Sequence, residues 1–201
     1  MAKGIVKKTF LKPLGKDNPV FVQILGICST LAVTNKLENT VVMTLGVLFT
    51  TSLSGLTLSL LRTFIPGRIR MMVETMVIAT YVIIVDIVLR AFLPEIWQQL
   101  GPYVGLIITN CIIMGRAEAF ALNNTPGLSL VDGLATGIGY SYVLIVIAFF
   151  RELLGTGQLW NVQILGDWWT NWSIMVMPPG AFFMLAIFIW IVKGAVIKEE
   201  Q

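Results

Sequence analysis

Histidine is absent from this sequence of 201 residues. Its absence removes the usual general base of enzymes, the commonest metal ligand and the usual haem ligand. With only two cysteines, Cys28 and Cys111, the chain has no framework of several disulfides. No glycine-rich loop follows a predicted strand, so we expect this chain to bind neither NADH nor a flavin. We therefore expect no catalytic residue in it.

Charged residues are also scarce. They make up 12% of the chain, whereas a typical soluble domain has about a quarter, and 56% of the residues are hydrophobic. The mean hydropathy is +0.83. A domain with so few charges could not cover a water-exposed surface, which indicates an integral membrane protein embedded in the lipid bilayer. Basic residues are not interleaved with aromatics, so nucleic-acid binding is excluded as a function.

Long uncharged runs divide the chain into membrane segments. They cover 18–35, 39–61, 96–115, 133–150 and 168–192, and a sixth apolar segment covers about 71–93. A spanning helix needs roughly 20 apolar residues, and a backbone in lipid must satisfy its own hydrogen bonds. The sequence therefore predicts an all-α integral membrane protein, a single domain over 1–201 with six transmembrane segments.

Lysine and arginine predict the orientation of the segments. Five lysines precede the first segment, which places the N-terminus in the cytoplasm by the positive-inside rule. Six crossings then place eleven of the fourteen basic residues, among them Arg116, on the cytoplasmic side. Arg90 and Arg151 fall on the outside with Lys36. Both termini are thus expected in the cytoplasm of a multi-pass protein.

The two cysteines have the same spacing from a preceding proline. Pro19 lies nine residues before Cys28, and Pro102 lies nine residues before Cys111. Proline favours the first position of a helix, and nine helical residues rise about 13.5 Å, nearly half of the hydrocarbon thickness. Both cysteines are therefore expected near the bilayer midplane, with their sulfurs close together.

This spacing also predicts an internal repeat. A proline-to-cysteine segment followed by two ordinary segments occurs twice, in halves of about 1–95 and 96–201. Because each half crosses the membrane three times, an odd number, the second half is inverted relative to the first. Inverted repeats with interrupted helices place functional sites near the bilayer midplane. Since only four residues separate Cys111 from Arg116, we expect the first and fourth segments to be half-helices, with irregular backbone beyond each cysteine.

Two midplane thiols are half of a metal site. Iron–sulfur clusters and structural zinc generally have four protein ligands, so a partner would have to supply the others. Three alternatives remain open at this point: a Cys28–Cys111 disulfide, a secondary transporter in which the cysteines are incidental, and a purely structural anchor.

Ionisable residues within membrane segments are costly and are candidates for function. Arg70–Glu74 and Asp86–Arg90 have i,i+4 spacing, which favours ion pairing, most clearly for Glu74. Asp86 is equally a candidate for cation uptake. Asp132 opens the fifth segment, where it is expected either to complement the helix dipole as an N-terminal acid or to admit a cation. Asp86 and Asp132 are the candidate cation-pathway residues.

Three segments carry a family resemblance: LGICSTLAVT at 25–34, IITNCIIMGRAEAFA at 107–121 and FFRELLG at 149–155. Over its whole length the chain resembles the D and E membrane subunits of sodium-pumping NADH:quinone reductases and of the related Rnf complexes. The stretch 36–45, with KLE and VVMTL, is closer to the D subunits of the reductase than to the E subunits of Rnf.

The resemblance implies a role in electron transfer. It implies a subunit of a six-subunit complex in the bacterial inner membrane, paired with a homologous E subunit of opposite orientation. Cys28 and Cys111 would hold a [2Fe–2S] cluster together with two cysteines of that partner. Electrons from NADH would cross the membrane to ubiquinone by way of this cluster while sodium moves outward. The alternatives are the E subunit of an Rnf ferredoxin:NAD+ complex and a secondary transporter.

Overall fold

The computed structural model describes residue 20 and residues 25–159, 162–163 and 172–198. Helices account for almost all of this part of the chain. In chain order they are α1 (Ile27–Val33), α2 (Leu37–Leu61), α3 (Arg70–Phe92), α4 (Pro94–Ile108), α5 (Cys111–Arg116), a π-helical segment (Ala117–Ala121), α6 (Pro126–Thr156), α7 (Ser173–Val176) and α8 (Pro178–Lys198). Between α6 and α7, the two-residue strands β1 (Gln158–Leu159) and β2 (Val162–Gln163) pair antiparallel.

Within the described residues, four helical stretches are long and apolar enough to cross a membrane. They are Leu37–Leu61, Arg70–Phe92, Pro94–Ala121 and Pro126–Thr156, and a shorter apolar helix covers Pro178–Gly194. These ranges confirm the membrane helices predicted from the runs at 39–61, 71–93, 96–115 and 133–150. Most of the first half of the 18–35 run and the start of the 168–192 run lie outside the described residues, so six crossings remain a prediction.

Helices α2 and α6 form the centre of the bundle and run antiparallel. A Cβ atom on Gly133 would lie 2.9 Å from the Cα of Ser52, and one on Gly137 would lie 3.1 Å from the Cα of Leu48. Further along, Gly55 faces the carbonyl oxygen of Ser129. The two backbones approach this closely because glycine has no side chain.

The backbone is interrupted just before each cysteine. Gly26 has a φ of +85°, and α1 begins at the next residue. At the second interruption Asn110 is extended, and its side-chain oxygen accepts a hydrogen bond of 3.2 Å from the Ile112 amide, so α5 begins at Cys111. The expectation of irregular backbone beyond each cysteine was therefore wrong. A left-handed glycine precedes α1 and an asparagine caps α5, and both helices continue beyond their cysteine.

Two other details of the fourth segment differ from the sequence prediction. Its first helix begins at Pro94, and Pro102 lies inside that helix. Pro94 already fills the first helical position, which proline favours. The second helix continues through Gly115 and Arg116 into the π-helical segment, so neither an extended strand nor a loop follows Cys111. Pro19 lies outside the described residues.

Candidate functional site

The two cysteines meet where the interrupted segments come together. Cys28 is the second residue of α1 and Cys111 is the first residue of α5. The two thiols lie close enough to interact electrostatically, and neither is in a disulfide. Cys28 is exposed and Cys111 is half-buried. The cysteine pair therefore opens onto the surface of the chain, where another subunit can reach it.

A buried polar network lies behind the cysteine pair. Tyr140 of α6 is completely buried, and its hydroxyl shares a hydrogen bond with the Ser29 hydroxyl. The Asn110 amide nitrogen lies 3.5 Å from the same Ser29 oxygen, on the other side of the network. Ser29 in turn donates a hydrogen bond of 3.0 Å to the carbonyl oxygen of Gly26. The two backbone interruptions are thus connected to each other and to α6.

The donor set fits half of an iron–sulfur site. Among the residues that the structure describes, no group of three or more cysteine, aspartate or glutamate side chains is placed to hold a metal. Thiolates are soft ligands suited to iron–sulfur clusters, which take four of them. Two adjacent thiols at a surface match the half that one subunit would contribute, as the sequence predicts for Cys28 and Cys111.

Asp132 is placed differently from the prediction. Helix α6 begins at Pro126, so Asp132 is the seventh residue of the helix and does not complement its N-terminus. It is buried and accepts two hydrogen bonds from the Arg116 guanidinium, one of them 3.0 Å long to Nε. Both residues line a narrow cleft, with space for about one water molecule, together with Thr51, Ser54, Gly55, Ile113, Ala117, Ala121, Ser129 and Gly133. Asp132 is therefore a charged group in a small, hydroxyl-lined space.

Asp86 lies in a more ordinary setting. Its carboxylate pairs with Arg90 at 3.6 Å and accepts a hydrogen bond of 2.9 Å from the indole nitrogen of Trp97. Arg90 also stacks 4.3 Å from the centre of the Trp97 ring. At the other end of α3, Glu74 lies 3.7 Å from Arg70, the i,i+4 pair that the sequence predicts. Pairing therefore accounts for Asp86. Glu74 is only partly satisfied, because its buried Oε1 has no hydrogen-bond partner and Arg70 lies closer, at 2.8 Å, to Glu118.

The Arg151 side chain is almost completely buried within the chain. It donates a hydrogen bond of 2.5 Å to the Thr34 hydroxyl, next to α1. It also donates to the carbonyl oxygens of Met175, Val176 and Met177 at the end of α7, at 3.0–3.3 Å. Arg151 thus joins the segment that carries Cys28 to the α7–α8 junction. The FFRELLG motif was the signal that could have revealed this role.

Comparison with known proteins agrees with these observations. Residues 6–189 match the family model described as "Rnf-Nqr subunit, membrane protein". The chain is also 48% identical to the D subunit of the Na(+)-translocating NADH-quinone reductase of Photobacterium profundum, an alignment that covers 98% of this chain and 95% of that protein. The chain belongs to the Rnf-Nqr family of membrane-protein subunits.

Proposed function

We propose that this chain is the D-type membrane subunit of a sodium-translocating NADH:quinone reductase in a bacterial inner membrane. The name and full-length similarity of its Photobacterium relative support this assignment within the family. The name of that relative describes one subunit of a reductase, and this chain likewise acts only as part of such a complex. NADH and flavins are bound by other subunits.

The observation that carries the proposal is the cysteine pair at the surface. Cys28 and Cys111 hold one side of a [2Fe–2S] cluster, and two cysteines of a homologous E-type subunit hold the other side. Such a cluster supplies one-electron transfer when it is bound. This chain's own residues then have two tasks: the thiolates hold the cluster, and the buried network of Ser29, Asn110 and Tyr140 forms the dry inner wall of the site.

The position of the pair within the membrane follows from an inverted repeat. Both cysteines begin or nearly begin a helix after a break, and the antiparallel packing of α2 and α6 suits two halves of opposite orientation. We propose six crossings with both termini in the cytoplasm. The first and fourth segments would then be broken near the midplane, which allows electrons to cross the membrane in two shorter steps.

For sodium, Asp132 is the stronger of the two carboxylate candidates. It is buried beside hydroxyl groups in a cleft, whereas Asp86 is partly exposed and paired with Arg90. A carboxylate with nearby hydroxyl oxygens suits a hard cation such as sodium, as it suits the hard cations calcium and magnesium. Arg116 forms an ion pair with this carboxylate, so sodium would have to compete with Arg116. The occupancy of the site by sodium would then depend on the strength of the Arg116–Asp132 ion pair.

Replacing either cysteine tests the function. In the purified complex, Cys28→Ala and Cys111→Ala should each remove the cluster, since iron–sulfur clusters need all of their thiolates. Iron content and quinone reduction should fall, while NADH oxidation by a soluble acceptor continues. Thr80→Ala, which changes an exposed side chain on α3, is the control. Full iron content with normal quinone turnover in either cysteine variant would refute the proposal.

A further inference from the structure

Tyr140 lies against the first break in the backbone and is linked to the second through Ser29. It projects from the middle of α6 and is completely buried. Its ring lies against Gly26 so closely that a Cβ atom on that glycine would be 2.8 Å from the Tyr140 Cε2. Its hydroxyl shares a hydrogen bond with Ser29, whose oxygen also lies 3.5 Å from the Asn110 amide nitrogen. One side chain therefore connects the two breaks.

The two residues that this network joins to Tyr140 are the immediate neighbours of the cysteines. Ser29 follows Cys28, and Asn110 precedes Cys111. Asn110 also caps α5 through the Ile112 amide, so any movement of its side chain changes where that helix begins. Each of these residues is joined to a cysteine by a single peptide bond. Because the peptide bond is planar and rigid, a shift of either residue also moves the neighbouring cysteine.

We propose that Tyr140 is a positioning residue for the cysteine pair, and that its hydroxyl, through Ser29 and Asn110, sets the separation of the two thiols. The inference deepens the proposed function, because the thiols positioned in this way are the ones that hold the cluster. Groups behind the ligands of a metal orient those ligands and tune the metal, and losing one costs about 10- to 100-fold in affinity or activity.

Tyr140→Phe in the purified complex tests the proposal. The change removes one oxygen atom and keeps the ring against Gly26. We expect iron to leave the complex at least about tenfold faster during a chelator challenge. Tyr142→Phe is the matched control, because Tyr142 lies on the same helix but is 64% exposed. Equal rates of iron loss in the two variants would overturn the proposal.

A second measurement separates positioning from a general loss of packing. The iron that remains in the Tyr140→Phe complex should show a shifted reduction potential and an altered electron paramagnetic resonance spectrum, since the geometry of its ligands has changed. Because Tyr140 acts through Ser29, the double variant with Ser29→Ala should lose iron little faster than Tyr140→Phe alone. Unchanged spectra, or additive effects of the two substitutions, would contradict the proposal.

A third measurement does not depend on a bound cluster. In the complex stripped of iron, a mild oxidant should join Cys28 and Cys111 in a disulfide, which mass spectrometry detects as the loss of two hydrogens. Tyr140→Phe should change the rate of this cross-linking at least severalfold, while Tyr142→Phe should not. If the parent complex contains no iron at these cysteines but cross-linking still depends on Tyr140, the proposed function fails and the positioning role stands. Cross-linking that is independent of Tyr140 refutes the positioning role.

Discussion

Gly26→Ala is the smallest change that strains the backbone beside the cysteine pair. Gly26 has a φ of +85°, in the left-handed region, and directly precedes the helix that carries Cys28. An alanine there either keeps this conformation under strain or relaxes to a right-handed one. Relaxation would turn α1 and carry Cys28 away from Cys111.

The size of the effect follows from two terms. A residue with a Cβ atom in the left-handed region costs roughly 1–2 kcal/mol. The new methyl group would lie 2.8 Å from both Ile112 Cδ1 and Tyr140 Cε2, and overpacking of this kind costs about 1–3 kcal/mol. Together the two terms destabilise the conformation in which both thiols are close together by about 2–5 kcal/mol. At about 1.4 kcal/mol per factor of ten, the affinity for iron should fall at least about 30-fold.

The assay is the iron content of the purified complex across a series of chelator concentrations. Gly105→Ala is the control, because Gly105 is helical and a Cβ atom added there would have no heavy atom within 4 Å. That substitution should be neutral or slightly stabilising, since alanine favours helix over glycine by up to about 1 kcal/mol. If the Gly26→Ala complex assembles and retains iron as tightly as the Gly105→Ala complex, the reasoning about this break is wrong.

Three further substitutions test other parts of the structure. Gly133→Ala should lower the thermal stability of the complex by forcing α2 and α6 apart, whereas Gly127→Ala, which has open space around it on the same helix, should not; equal melting temperatures would contradict the close packing. Asp132→Asn should raise the sodium concentration needed for half-maximal turnover more than Asp86→Asn does, and an unchanged sodium dependence would leave Asp132 with only its structural role. Arg151→Lys should destabilise the complex by about 1–3 kcal/mol in thermal unfolding, because an ammonium group cannot replace the guanidinium at all four acceptors; an unaltered melting temperature would refute this.

The membrane helices could be predicted from the sequence because their signal is simple. Length and lack of charge are enough to mark a spanning segment, and they located both ends of α2 and α3 closely and the central part of α6. The proximity of the cysteines followed from equal spacing within two halves. These properties depend on the pattern of the whole chain and are insensitive to local detail.

The position of each break was harder to predict because it depends on local backbone chemistry. The sequence analysis expected irregular backbone after Cys111, but Gly115 in that stretch lies within α5, where a Cβ atom would be 3.3 Å from the Leu25 side chain. The actual break points are Gly26 and Asn110, which precede the cysteines. Glycine favours the left-handed region and asparagine favours the N-cap, so both residue types were available as signals.

Pairs of charges from different helices were also beyond the reach of sequence spacing. The i,i+4 rule identified the partners of Glu74 and Asp86, which lie on one helix. Asp132 pairs instead with Arg116 on another helix, and Arg151 bonds to three backbone carbonyl groups. Such contacts arise only when the helices are packed, so the spacing of residues along one helix cannot predict them.

A cryo-electron microscopy map of the intact complex tests the central claim most directly. Our account predicts density for a metal cluster in contact with the sulfurs of Cys28 and Cys111, with two thiolates of a homologous subunit on its other side. Sulfurs with no metal density between them, or a cysteine pair that faces lipid, would contradict the account.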